Sequence, residues 1–327
     1  MMKRLAGLLA ALCMLSGIAF GAGSAAAQTY PAQPIRLLVG YPPGSASDFI
    51  ARLIAPKMTE GLGQPVVVEN RAGAAGILAA TAAAKAPPDG YTILMTVPGS
   101  ITTARALLGS SLQYSPETDL VPIGLIGVTP LLLLVTKESG IKTMAELVTL
   151  AKSTPGGINI ASYGVGAPSH FAIEMLKVNT KLPITHVPHT GSAAMMTALM
   201  GGIVPAAFDS VTSAMPQVRS GRVVALGLTA SARLAALPDV PTMAEAGMGP
   251  VEVGGWAGLH APKGTSPDIV RRLNAELNRV IALPDVREKM GDRLILGGGS
   301  TASFETFIQN ERARLTKVIE DAQLKFE

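Results

Sequence analysis

The sequence predicts an α/β protein of two lobes, each a mostly parallel sheet flanked by helices. Strand-like and helix-like runs alternate in βαβαβ order, which sets successive strands parallel with a helix between them. The alternation occurs in two series that part near Leu131. The turns from strand to helix are rich in small residues, as in "GYPPGSASD" (Gly40 to Asp48). A chain of 327 residues can bury a large core, and at that size two domains are the usual solution.

In chain order, Lys3 and Arg4 precede an apolar run from Leu5 to Phe20, and small residues end in Ala25-Ala26-Ala27. These are the three parts of a secretory signal peptide, residues 1–27, cleaved after Ala27. Gly17, Gly21, Gly23 and Ser24 interrupt the run before the ~20 apolar residues of a membrane span. The one cysteine, Cys13, lies inside this segment, so no disulfide or thiolate metal site is expected in the mature chain. Without Lys3 and Arg4 the 27 basic residues fall to 25 against 23 acidic ones, a formal charge of about +2. No basic tract or basic-aromatic stripe stands out, which argues against nucleic acid as a partner.

The first series opens with the strand "IRLLV" (Ile35 to Val39). Ile50, Ile54 and Met58 then recur at four-residue spacing with Ala51 and Ala55 beside them, one face of a helix. "PVVVEN" (Pro65 to Asn70) is a buried strand, "RAGAAG" (Arg71 to Gly76) a loop, and "ILAATAAAKA" (Ile77 to Ala86) a helix. "YTILMTV" (Tyr91 to Val97) is a third strand and "PGS" (Pro98 to Ser100) a loop. The second series begins with a strand at Leu131 to Val135, too short to cross a membrane, and a helix at Met144 to Ser153. Ile158 to Lys177 reads as strand, small-residue loop and helix; "THVPHTG" (Thr185 to Gly191) precedes a helix through Ala194 to Met200. "AAFDS" (Ala206 to Ser210) ends one strand and "VVALGLTA" (Val223 to Ala230) is another. From Pro250 the texture changes to "VEVGGWAGLHAPKGT", followed by helices at Pro267 to Ile281, Pro284 to Met290 and Ser303 to Leu324.

In parallel sheets ligands sit outside the carboxyl ends of strands. There a loop of small residues lets backbone approach a ligand, and the unpaired N–H groups of the following helix attract an anion. "PPGSASD" and "SYGVGAPSH" (Ser162 to His170) are two such cradles, one in each series. Together they fit a molecule with an anionic group at each end. No phosphate loop ends in Gly-Lys-Ser/Thr and no G-x-G-x-x-G follows a strand, so no nucleotide cofactor is expected. His186 and His189 have no acid or cysteine near them in sequence, so no metal is expected either. Ser162, Ser169, His170 and Asp209 could be written as a hydrolase triad, but without a G-x-S-x-G elbow catalysis is not expected.

The chain resembles, over essentially its whole mature length, the solute receptors of tripartite tricarboxylate transporters, often called Bug proteins. The matching stretches are "YPAQPIRLLV", "YPPGSASDFIAR", "LGQPVVVENRAGAAG", "AKAPPDGYTIL", "THVPHTG", "GRVVALGLTASARLAALPDVPTMAEAG" and "WAGLHAPKGT". The resemblance implies a two-lobed periplasmic binding protein fold, residues 28–130 with 250–327 forming one lobe and 131–249 the other. It implies an exported, periplasmic monomer without a cofactor. Such a receptor closes on a small organic carboxylate (a di- or tricarboxylate, acidic amino acid or aromatic carboxylate) and hands it to the transporter's membrane subunits. A signalling role toward a membrane sensor, or a secreted hydrolase, are the competing readings.

Carried onto this chain, the first-lobe site implied by the resemblance falls at Gly44, Ser45, Ala46 and Asp48, with Tyr41 beside them and Ala74 and Ala75 in support. The second-lobe site falls at Ser162, Gly164, Gly166, Ala167, Ser169 and His170, with Thr190, Gly191 and Asp209 as further candidates. Asp48 is read as a helix-start residue that complements the dipole rather than as a contact for an anion. Asp209 has two readings, an acceptor for a ligand ammonium or hydroxyl and a cap for the helix after it. Ser45 and Ala75 stand where the family has glycine, Ala167 where it has serine, and His189 and Thr190 where it often has Tyr and Lys. These departures bear on the identity of the ligand rather than on the fold.

Overall fold

The computed structural model describes residues 30–291 and 293–322, so the expected signal segment lies outside the described residues. The strands of both series join in one curled ten-stranded sheet with helices on its faces. In the first series β1 (Ile35–Val39) lies between β2 (Val66–Asn70) and β3 (Thr92–Thr96), parallel to both. In the second, β5 (Ile158–Ser162) lies between β6 (Ile184–Pro188) and β7 (Ala206–Ser210), again parallel. Between these triplets the sheet is antiparallel. There β4 (Leu120–Thr136) pairs β9 (Gly254–Pro262) with its first half, then β7 and β8 (Val223–Leu228) with its second. The mostly parallel pattern therefore holds only in the outer strands, because the centre is formed where the chain passes from one series to the other.

The partners of β4 change between Pro130, opposite Gly254, and Leu131, opposite Ser210. Thr229 ties the changeover together: its hydroxyl accepts from Leu131 N at 2.8 Å and donates to Val253 O at 2.5 Å. The short β10 (Ile295–Leu296) adds to the first half of β4.

Helix starts follow the sequence signals. Ser45 caps α1 (Ala46–Leu62), and its hydroxyl accepts from Asp48 N. Between them in the chain lie α2 (Ile77–Ala84), α3 (Pro98–Ile101), α4 (Ala104–Leu108) and α5 (Met144–Ser153), the last opened by a capping box of Thr143 and Glu146. The second series continues with α6 (Pro168–Thr180), α7 (Ser192–Met200) and α8 (Val211–Arg219). In α9 (Pro267–Ala282) Ser266 caps, Pro267 takes the first position and Val270, Leu273, Leu277 and Val280 form the buried stripe. The chain ends in α10 (Pro284–Gly291) and α11 (Thr301–Asp321).

Two cores lie on the faces of the first sheet half. One packs Ile50, Ile54 and Met58 of α1 and Leu273 and Leu277 of α9 against Leu37, Ile93 and Leu259. The other gathers Ala79, Ala80 and Ala83 of α2 with Leu38, Leu94, Trp256 and Phe304. The second half has its own pair, around Leu133, Phe171 and Phe208 on one face and Leu132, Met195 and Leu199 on the other.

Several expectations are corrected. Pro98 to Ser100 begins a short helix rather than a loop, with Pro98 in the first turn. The strand read as Leu131 to Val135 is the end of a strand seventeen residues long. Val251 and Val253, which follow the expected 249/250 boundary, pack in the second half's core. Helix α11 serves both halves, through Phe304 and Ile308 at its start and Leu315 and Val318 near its end. Among the described residues no helix is long and apolar enough to cross a membrane.

Candidate functional site

A cleft of about 570 Å³ opens where the two halves meet. It is lined by the segments that follow the carboxyl ends of β1, β3, β5 and β6, and by Asp209 and Ser210 at the end of β7. Four helices of nine or more residues start at its wall: Ala46, Pro168 and Ser192 open α1, α6 and α7, and Ser210 caps α8. The wall therefore carries the positive ends of several helix dipoles. Among the described residues no lysine, arginine or histidine lines it, and Asp209 is its one acid.

In the first cradle Gly44 adopts φ 83°, a left-handed conformation that suits glycine. Its N–H donates to Asp48 Oδ2 at 2.9 Å, Ser45 N donates to Pro42 O, and Asp48 N goes to Ser45 Oγ. This leaves the N–H groups of Ala46 and Ser47, at the first two helical positions, without a protein partner among the described residues. Tyr41, Ser45, Ala46 and Ser47 line the cleft, as does Ala75 across from them. Gly44, Ala74 and Asp48 do not. The Asp48 carboxylate turns inward, 3 % exposed, where it also accepts from Arg52 Nε at 3.0 Å and Asn70 Nδ2 at 2.8 Å. Burial alone would raise its pKa, but the hydrogen bonds from Arg52, Gly44 and Asn70 outweigh that and hold it below the usual carboxylate value. Asp48 is a brace behind the cradle.

In the second cradle Gly164, Gly166, Ala167 and Gly191 line the cleft, whereas Ser162, Ser169, His170 and Thr190 do not. The buried three hold the loop from behind. Ser169 Oγ accepts from Tyr163 N at 3.1 Å, His170 Nδ1 accepts from Gly166 N at 3.1 Å, and Ser162 Oγ meets His186 Nε2 at 2.6 Å. The rings of His170 and His186 stack, 4.0 Å between centroids and 15° from parallel. Burial pushes His170 down to about 3, with His186 and Lys177 adding to the effect; burial and Lys177 push His186 down to about 4.

Helix α6 brings Glu174 to this pair, an acid the linear sequence did not place near His186, so His170, Glu174 and His186 lie close enough together to hold a metal ion. Their present bonds point to a different task. Gly166 N–H occupies Nδ1 of His170, Ser162 Oγ meets Nε2 of His186, and Glu174 binds Lys177 at 2.8 Å. Nor do the residues written as a triad assemble into one. Ser162 meets His186, His170 meets Gly166, and Asp209 meets Ser192.

Asp209 is fully buried at the cleft wall, where Oδ2 accepts from Ser192 Oγ at 2.5 Å and Oδ1 from Ser210 N at 2.8 Å. Burial pushes its carboxyl up to about 6, against the lowering effect of those two bonds. It does not cap α8. Ser210 does, accepting from Ser213 N.

Sequence reasoning did not place Val97 to Gly99, Tyr163, Ser192 or Gly255 to Ala257 at the site, and all of them line it. Trp256 is the chain's one tryptophan, which was the available signal. Its ring packs edge-on against Phe304 and Phe307, and its indole N–H is buried with no protein partner among the described residues.

Residues 50–324 match the profile of the tripartite tricarboxylate transporter family receptor. A Pseudomonas sp. (strain P51) protein, the UPF0065 protein in the tcbD-tcbE intergenic region, is 39% identical over 297 residues, 90% of this chain and 88% of its own length. Among solved structures, R. palustris Rpa4515 with adipate superposes with a TM-score of 0.82 at 32% identity, covering 90% of this chain and 99% of that one. MatC (Rpa3494) from Rhodopseudomonas palustris with bound malate gives 0.75 at 34% identity, covering 89% and 100%. With its cleft between two sheet halves and helix starts gathered at the wall, the chain belongs to the tripartite tricarboxylate transporter receptor family.

Proposed function

We propose that this protein is a periplasmic receptor that captures a small organic carboxylate between two closing lobes and delivers it to the membrane subunits of a tripartite tricarboxylate-type transporter. It acts as a monomer, with residues 1–27 as the export signal and the β4 changeover at Pro130 and Leu131 as one crossing between lobes. It returns its ligand unchanged and is not an enzyme. The observation that carries the reading is the pair of N–H groups at Ala46 and Ser47, at the start of a seventeen-residue helix on a cleft wall, where among the described residues they have no partner and no basic side chain lines the cleft. Such a site holds an anion by backbone donors and dipole rather than by an ion pair. The adipate and malate of the two solved relatives are carboxylates that need such donors.

Ala46→Pro tests this directly. Proline is favoured at the first helical position, and Ser45 before it already has φ −69° and ψ 164°, the extended conformation a following proline demands. The substitution removes one donor and leaves the helix standing. Calorimetry against a carboxylate panel should show affinity lower by at least ~1 kcal/mol at an unchanged melting temperature. Unaltered affinity would move the anion to another part of the cleft.

A further inference from the structure

Asp209 sits oddly in a cleft built to attract anions. Its carboxylate is held by Ser192 Oγ and Ser210 N–H, and both donors belong to helix starts on the second half of the sheet. Those two bonds use half of the roughly four lone-pair positions a carboxylate offers. Asp209 lines a cleft wall where no cationic side chain among the described residues is available to meet it. Tyr41 and Tyr163, which also line the cleft, are phenols that burial keeps protonated, with Asp209 itself adding to the effect at Tyr163.

Ile50, Val97, Val165 and Trp256 give the cleft apolar walls. A ligand spanning it from one half of the sheet to the other would meet donors at Ala46, hydrocarbon on these walls and an acceptor at Asp209.

Resting on the receptor reading above, we propose that Asp209 makes this protein selective for carboxylates whose far end carries a hydrogen-bond donor, an ammonium or a hydroxyl, over dicarboxylates of the same length. An ammonium or hydroxyl completes the acceptor capacity of Asp209 with a charge-assisted bond. A second carboxylate in its place would set two like charges together in a desolvated wall, and one of them would have to take up a proton. Asp209 is thus a specificity residue, distinct in role from the donors that hold the first carboxylate.

The test uses matched ligands on the full mature protein at pH 7.5, read by calorimetry. Series of four, five and six carbons, and a para-substituted benzoate series, each compare a bare end, a hydroxyl, an amine and a second carboxylate; the six-carbon set is hexanoate, 6-hydroxyhexanoate, 6-aminohexanoate and adipate. In the series that fits the cleft, the hydroxyl or amine member should bind at least tenfold more tightly than both the bare and the dicarboxylate members. Asp209→Asn, which can still accept from Ser192, should weaken the amine member at least tenfold and narrow its lead over the dicarboxylate. A dicarboxylate that binds as tightly as its amine and hydroxyl partners, with or without proton uptake in buffers of different ionisation enthalpy, overturns the selectivity and leaves the receptor reading standing. If no carboxylate of any series binds, both fall together. Should Asp209→Asn fail to fold, the ligand series on the parent protein still decides.

Discussion

Asp48 shows how a residue beside a binding loop can serve the fold alone. Its carboxylate gathers Gly44 N–H, Arg52 and Asn70, and so fixes the turn that leaves Ala46 and Ser47 free to donate. Asp48→Ala is therefore expected to lower stability by about 0.5–2 kcal/mol, the range for loss of a helix-start acceptor. Carboxylate affinity should change far less, because the side chain does not reach the cleft. Chemical denaturation and calorimetry on the same variant check both halves, and an affinity loss without a stability loss would assign Asp48 to the ligand. At this scale the sequence was legible where local chemistry decides: small residues, a serine cap and an acid three positions on mark the first cradle. It was silent on which side chains turn inward, so Ser162, Ser169 and His170 fell in the right loop yet behind its wall. Trp256 comes to the cleft on β9 and Gly99 on the short α3 after β3, and beyond the rarity of the tryptophan nothing local marks them.

Among the elements, β4 carries both halves of the sheet, and Thr229 is its fastening. The hydroxyl serves a β4 donor and the Val253 acceptor at once, 4 % exposed. Thr229→Val keeps the shape and strands both partners, so a loss of about 2 kcal/mol or more is expected. Thr229→Ser should recover most of it. Urea titration of the two variants measures the difference, and equal stability would mean that water replaces the hydroxyl without loss. The outer strands and most helices were readable because each carries a clean period or a clear cap. The first half of β4 was not, since Pro122, Gly124, Gly127 and Pro130 read as punctuation. The structure accommodates part of that punctuation as irregularities, with register shifts between Pro122 and Gly124 and between Leu125 and Gly127. β9 was hidden for the same reason, by Gly254, Gly255 and Gly258. At Gly258 a side chain would meet the Phe304 ring at 2.2 Å, so the glycine is required by close packing rather than by a turn.

For the molecule as a whole, buried imidazoles set the response to acid. His170, His186 and His260 are held neutral, at about 3, 4 and 3 against an ordinary 6.5, with burial the leading cause at each. Their folded pKa values lie below the unfolded ones, so the unfolded chain binds more protons and stability is lost as pH falls through 6.5 toward 4. Asp209 acts in the opposite sense. Its raised value favours the folded, protonated form as pH falls through about 6, and burial raises Glu311 in the same sense, two acids against three imidazoles. Urea midpoints measured at pH 7.5, 6 and 5 should therefore decline in that order, and a flat or rising series would mean that these histidines are solvated. The placement of β9 has a consequence of another kind, in the timing of synthesis. β9 lies between β3 and β4, yet Thr96 and its partner Gly258 are 162 residues apart in the chain. At roughly 5–20 residues per second, the open edges of β3 and early β4 wait on the order of ten seconds or more for the strand that joins them. Every nascent chain shorter than Gly254 thus lacks both the seam of its sheet and the stretch Gly255 to Ala257 of its cleft wall.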